Sequence, residues 1–144
     1  ERGNMLRAYG NALGDTIKQA MGDGAEEFAT LNKALGEVSP ETVAAVTVLA
    51  VKYEILVERI NKVDIPNEAA QAHQSLAAAY AAYGAALRGL TKIGADGTIP
   101  PAAFQQYSDA AVAVGKAFIE SMQFFTERGV RFEHDEPGAI FALP

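Results

Sequence analysis

The chain of 144 residues contains no cysteine, no tryptophan and only two histidines. Without cysteine the chain has no disulfides, no zinc thiolates, no attached c-type haem and no cysteine nucleophile. A chain of this length buries a sizeable core without a disulfide or a metal, so the fold does not require them. The missing cysteines therefore narrow the possible chemistry, but they do not identify a cellular compartment.

Basic residues and long apolar runs are also scarce. Lys and Arg number 12 against 18 Asp and Glu, which gives a net charge of -6. Nucleic-acid affinity rests mainly on Lys and Arg, so we predict no nucleic-acid partner. The longest apolar run, residues 43–51, ends at Lys52 and Glu54 and is shorter than the ~18–20 residues that cross a bilayer. We predict that this chain has no membrane span.

The clearest pattern in the sequence lies in residues 66–90. Pro66 opens this stretch and Glu68 stands in its first turn, both of which are typical of a helix start. Apolar residues then recur at alternating spacings of four and three, which is the period of a helix buried along one face. We predict one uninterrupted helix whose inward stripe is Ala69, His73, Leu76, Tyr80, Tyr83, Leu87 and Leu90.

Three further segments, residues 4–35, 40–63 and 100–128, show helical periodicity. The first contains Gly22 and Gly24, and each interior glycine costs ~1 kcal/mol relative to alanine. After this interruption we expect Phe28, Leu31 and Leu35 to face inward. Because the links are short, we predict an all-α, antiparallel up-down-up-down four-helix bundle forming a single domain over residues 1–144. Its first helix is kinked or broken near Gly22–Gly24.

Residues 129–144 lack a helical period and form a predicted irregular, extended C-terminal tail. The turn at Pro137-Gly138 and the apolar residues around it favour a tail that folds back over the end of the bundle. A mobile tail that docks on a partner is the alternative. Gly10 and Gly14 give the first helix a small-residue face, where we expect another helix to approach closely.

The second helix, residues 40–63, is apolar almost all round over residues 43–51. One interpretation is a helix that contacts neighbours on two sides. The other is an exposed apolar flank through which the chain forms a homodimer. The sequence leaves both open.

His73 is the only polar residue with a titration near neutrality in the inward stripe of residues 66–90. The short links of the bundle place several polar groups level with it, and buried polar groups are normally hydrogen-bonded. We expect its partner to be one of Glu54, Glu58, Glu120 and Ser121.

A pocket between helices, with His73 on its wall, is the alternative to a purely structural histidine. Aromatic residues at helical spacing are usually core, but small Ala and Gly neighbours leave room for such a pocket. The candidate ligand-binding residues are then His73, Tyr80, Tyr83 and Glu120.

Metal and catalytic sites find little support. Di-iron bundles carry Glu-x-x-His on two helices, but the residue three before His73 is Ala70. Consecutive residues in the run Glu-His-Asp-Glu at 133–136 point alternately, so a solvated turn is favoured over a metal site. No phosphate loop, Gly-x-Ser-x-Gly or His-Glu-x-x-His occurs. We predict no catalytic residues, no metal, no cofactor and no enzymatic activity.

Pro66 at a helix start, His73 seven residues later and an Ala/Leu-rich continuation resemble uncharacterised extracytoplasmic helical-bundle proteins and lipoproteins of bacteria. The resemblance covers residues 66–90 and implies export to the periplasm or a lipid anchor upstream of Glu1. The start at Glu1 rather than Met agrees with removal of a leader. A cytoplasmic location is the alternative. The resemblance implies no activity and no catalytic residue.

Three functional hypotheses follow. The first is a non-enzymatic extracytoplasmic binding or interaction protein whose partner is unknown. The second is a small-molecule or metal-binding sensor bundle that uses His73 and nearby Tyr and Glu residues. The third is a homo-oligomeric structural protein paired through residues 40–63.

Overall fold

A computed structural model describes residues 2–22 and 24–143, and this part of the chain is helical and contains no strand. The predicted all-α class is therefore confirmed. Within the described residues there are five α-helices and two short 3₁₀ helices. The α-helices are α1 (Arg2–Met21), α2 (Ala25–Gly36), α3 (Pro40–Ile60), α4 (Ala70–Leu90) and α5 (Pro101–Glu127), and the 3₁₀ helices are Asn67–Ala69 and Pro137–Phe141.

The predicted break in the first helix separates α1 from α2. Gly22 and Gly24 have φ of +63° and +80°, a left-handed conformation that glycine adopts without a steric penalty. α2 then packs on α3 through a narrow face that contains Leu31 and Ala34. The prediction that Phe28 and Leu35 also face inward is wrong, since they are 70% and 40% exposed. One packed neighbour covers only part of this short amphipathic helix.

α3 begins at a capping box and ends earlier than predicted. Ser39 Oγ accepts from the Thr42 backbone N–H, and Thr42 Oγ1 accepts from the Ser39 N–H. α3 ends at Ile60 rather than at residue 63. Beyond it the Val63 N–H donates a hydrogen bond to the Ile60 carbonyl, three residues earlier, instead of the i−4 bond of an α-helix. The next helix is also not uninterrupted from residue 66, since a 3₁₀ turn precedes α4.

α4 packs against both α3 and α5. All seven residues of its predicted stripe are buried, which confirms that prediction. Small residues let the neighbouring axes come close. A Cβ on Gly84 would lie 3.2 Å from the Tyr53 Cβ of α3, a distance tighter than most side-chain contacts.

The C-terminal tail lies against α1 and contains a 3₁₀ helix, so it is not extended throughout. Arg7 donates two hydrogen bonds of 2.8 Å to the Glu136 carboxylate, and Asn11 bonds both Glu136 and the Gly138 N–H. Phe141 is completely buried. The small face of α1 thus receives the tail, and at Gly10 it also meets the ring of Phe125 from α5.

Gly14 offers a test of this contact, because a Cβ there would overlap the Pro137 carbonyl oxygen. We expect overpacking in Gly14→Ala to lower the free energy of unfolding by ~1–3 kcal/mol. The higher helix propensity of alanine offsets at most ~1 kcal/mol of this loss. Gly115→Ala in α5 is the control, because its Cβ meets nothing within 4 Å. The Gly115→Ala substitution should leave the free energy of unfolding unchanged or raise it. Urea unfolding measures both, and a Gly14→Ala protein as stable as Gly115→Ala would contradict the close tail contact.

Candidate functional site

His73 lies on the buried face of α4, with 2% of its surface exposed. Its partner is Tyr9 of α1, whose hydroxyl lies 2.9 Å from His73 Nδ1. The expectation that its partner is one of Glu54, Glu58, Glu120 and Ser121 is therefore wrong. Glu54 instead pairs with Arg88, and Glu120 accepts a 3.5 Å hydrogen bond from Ser75.

The sequence does contain a signal for this pair. Tyr9 stands three residues after Leu6 and four before Leu13, and all three are buried on the inward face of α1. The periodicity places Tyr9 in the core, but it does not state which helix that core position meets. That information required the relative placement of α1 and α4.

The second ring nitrogen of His73 has no such partner. Within residues 2–22 and 24–143, Nε2 is the only buried side-chain nitrogen or oxygen without a hydrogen bond. A neutral imidazole has one donor and one acceptor nitrogen, so a Tyr9 hydroxyl that donates to Nδ1 leaves the proton on Nε2. Burial lowers the pKa of His73, and the nearby Ile60 backbone carbonyl partly opposes that shift.

Tyr9 and His73 form a neutral pair under ordinary conditions. Burial raises the pKa of Tyr9, so its hydroxyl stays protonated. The lowered pKa of His73 favours the uncharged imidazole at neutral pH. The pair therefore joins α1 to α4 inside the protein.

Tyr80 and Tyr83 belong to a separate aromatic cluster. Their rings lie 5.9 and 4.7 Å from the ring of Tyr53 on α3. The Tyr53 hydroxyl donates a 2.7 Å hydrogen bond to Glu27 of α2, and the Tyr83 and Tyr107 hydroxyls are 3.3 Å apart. Burial raises the pKa of Tyr80 to about 12. These rings pack α4 against its neighbours.

The four candidate ligand-binding residues therefore have different partners. His73 bonds Tyr9, Tyr80 and Tyr83 pack on Tyr53, and Glu120 bonds Ser75. Tyr80 follows His73 by two helical turns, a rise of about 10 Å. No hydrogen bond or ring contact joins His73 to the other three residues.

A groove of about 470 Å³ runs between α1 and the link from α3 to α4. Tyr9 is the one residue of the buried pair that lines it. Because His73 Nε2 is enclosed, a molecule in the groove would meet Tyr9 first. The groove is mainly apolar and is lined by Met5, Ala8, Tyr9, Ala12, Val63, Asp64, Ile65 and Pro66.

The acidic turn at residues 133–136 serves the attachment of the tail. The Arg7 guanidinium, the Glu133 backbone N–H and the Asn11 amide lower the pKa of Glu136 to about 2. Across the described part of the chain, no three His, Asp or Glu side chains are grouped to hold a metal ion.

Among the described residues, α3 has an apolar face that remains partly exposed. Val48, Val51 and Ile55 are 59%, 38% and 40% exposed, and Ala44 is exposed as well. Their spacings of four, three and four are those of a coiled-coil stripe. We call these four residues the outer seam. Thus α3 has packed neighbours and also an exposed apolar flank.

Within the described residues, no helix is long and apolar enough to span a membrane. No protein-family model, curated protein or solved structure matches this chain. The functional interpretation therefore rests on the residues and their geometry.

Removing the Tyr9 hydroxyl tests the buried pair. We expect Tyr9→Phe to lower the free energy of unfolding by about 1–3 kcal/mol, because His73 Nδ1 loses its partner in the interior. Tyr107→Phe is the control, since it removes a longer hydroxyl contact at a partly exposed ring. Urea unfolding compares the two. A larger loss for Tyr107→Phe would contradict the assigned role of Tyr9.

His73 also predicts how stability depends on pH. An unfolded histidine titrates near ~6.5, whereas burial lowers the pKa of His73 in the folded protein. Between these two pKa values the unfolded chain binds the extra proton. The free energy of unfolding is therefore highest above pH ~6.5 and falls below it, by at most about 1.4 kcal/mol per pH unit.

Unfolding curves at several pH values between 5 and 8 measure this slope. His73→Gln should remove it, while the exposed His134→Gln should leave it unchanged. The carboxylates of Glu68 and Glu136, with pKa values of about 2, lose their stabilising contribution only at lower pH. A slope that disappears in His134→Gln, or is absent from the unsubstituted chain, would refute the prediction.

Proposed function

We propose that this chain is a non-enzymatic interaction protein that binds another protein through the outer seam of α3. The observation that supports the proposal is the exposure of four apolar residues at successive heptad positions. Single exposed apolar side chains are common, but a continuous apolar stripe marks an interaction surface. A second helix packed on this stripe would remove it from water, which is favourable in proportion to the apolar area buried.

The charges around the outer seam agree with this assignment. Glu41, Lys52, Glu58 and Arg59 border the stripe on α3. Interfaces commonly have an apolar centre and a polar rim, and the rim keeps the free protein soluble. The seam and its borders have this arrangement.

The proposed architecture is an antiparallel up-down-up-down four-helix bundle in which α1 and α2 form the first arm. The contacts of α4 with α3 and α5 support it. In such a bundle the packing of α3 against its neighbours fixes the position of the helix. The outer seam is then a rigid surface. A rigid surface loses less conformational entropy on binding than a mobile one.

The non-enzymatic part of the proposal rests on the chemistry of the available groups. The sequence has no cysteine and two histidines. His73 is buried against Tyr9, and burial raises the pKa of that hydroxyl rather than activating it. His134 is exposed and lies in the turn at residues 133–136 of the tail.

We further propose that the protein acts outside the cytoplasm, and the support for this is the resemblance of residues 66–90. Fractionation of the cells that make it, with detection of the chain in its native form, tests the location. Recovery in the cytoplasmic fraction alone would contradict the location and leave the binding surface unaffected.

A photo-crosslinking residue in place of Val51 tests the binding surface in those same cells. We expect a discrete adduct, because the side chain at this position would be enclosed by the partner. The same substitution at Lys116, exposed on α5, is the control and should give no discrete adduct. Adding Val48→Glu to the Val51 variant should abolish the adduct, because a charge would then be buried in the seam. Absence of an adduct from Val51 would refute the proposal.

A further inference from the structure

The outer seam has an internal symmetry that identifies its partner. We propose that a second copy of this chain binds there, with the two α3 helices antiparallel about a two-fold axis. This inference rests on the proposed function of the seam and specifies the partner.

The apolar residues are spaced symmetrically. The midpoint between Ala44 and Ile55 coincides with the midpoint between Val48 and Val51. A two-fold axis at this point sets Ala44 opposite Ile55 of the second copy and Val48 opposite its Val51. The smallest side chain of the seam thus faces the largest, so the layers have similar volume.

Two of the bordering charges, Glu41 and Arg59, share this centre. Glu41 and Arg59 are both exposed, and their midpoint lies within half a residue of the seam's midpoint. They are 18 positions apart, about five full turns of 3.6 residues, so they stand on the same flank of the helix. In an antiparallel two-fold pair, equal flanks face each other. Glu41 of each copy then lies within one residue of the level of Arg59 of the other, on the same flank, and two ion pairs bracket the apolar layers. Glu58, which is level with Glu41 of the other copy, stands on the opposite flank and pairs with Lys62 of its own helix.

The structure leaves these two charges available for such pairs. Among the described residues, neither Glu41 nor Arg59 takes part in an intramolecular ion pair, whereas the neighbouring Glu54 and Glu58 pair with Arg88 and Lys62. A parallel arrangement would place Glu41 level with Glu41 and Arg59 level with Arg59 of the second copy. In that arrangement the opposite charges would be about 27 Å apart along the axis. The charges therefore favour the antiparallel pair.

The size of the seam limits the strength of the dimer. Four apolar positions and two rim ion pairs are fewer than the roughly 20–30 residues per side of a standard stable interface. We therefore expect a reversible dimer that forms at protein concentrations of ~10 µM or higher.

Cysteine cross-linking tests the register without interference, because the chain has no native cysteine. An Ala44→Cys chain mixed with an Ile55→Cys chain should be joined by a short bismaleimide. In a sample of one variant alone, the bismaleimide should not join the two chains of a dimer. The two identical cysteines would lie 11 residues, or about 16 Å, apart along the axis of the antiparallel pair. Self-linked Ala44→Cys without mixed product would show a parallel pair and overturn the inference.

Charge reversal tests the two ion pairs by sedimentation equilibrium at low salt. Glu41→Arg and Arg59→Glu should each raise the dimer dissociation constant by about 3- to 30-fold, as expected when two exposed ion pairs become repulsive. The double reversal restores opposite charges across the axis and should return the constant to near its original value. Circular dichroism confirms that each variant is folded. A double variant as weak as either single variant would overturn the inference.

The photo-adduct from Val51 separates the two proposals. A second copy gives an adduct of twice the 15.2 kDa chain. An adduct of another mass, together with a purified chain that stays monomeric at high concentration, would overturn the homodimer while the interaction surface stands. No adduct would refute the interaction surface itself, whatever the sedimentation result.

Discussion

The burial of α4 is the constraint on which the rest of this structure depends. Eleven of its 21 residues are buried, which is more than one face of a surface helix provides. Helices must therefore cover α4 on several sides, and α3 and α5 both pack along it. Small residues such as Gly84 let these axes approach closely, while the large rings at Tyr80 and Tyr83 fill the space beside them. The position of α3, and hence of its outer face, follows from this packing.

The burial of α4 also places His73 in the core, where Tyr9 is its hydrogen-bond partner. Tyr9 satisfies one nitrogen of His73, and burial lowers the pKa of the ring. Among the described residues, Nε2 has no hydrogen-bond partner. The bond between Tyr9 and His73 joins α1 to the centre of the fold. On its other side, α1 receives the C-terminal tail through Arg7 and Asn11. Helix α1 therefore contacts both α4 and the C-terminal tail.

The same packing explains why a binding function is proposed for α3. Its buried residues, including Ala50 and Leu56, are in contact with the core, and the outer seam is left on the opposite side. An apolar stripe that stays exposed on a helix is typical of an interaction surface. The candidate residues around His73 have partners within the protein, whereas the four seam residues are exposed. This difference directs the functional interpretation to the surface of α3 rather than to the interior.

The sequence by itself determined the helical class, the break at Gly22 and Gly24, and the buried stripe of α4. These features depend on local periodicity and on the backbone freedom of glycine, and both are determined by residues that are close together in the sequence. Only the tertiary structure decided that Tyr9 meets His73, that Phe28 is exposed and that the tail lies along α1. The periodicity of a helix specifies which of its faces is apolar, but it does not specify which distant segment covers that face. For the outer seam of α3, no described segment does.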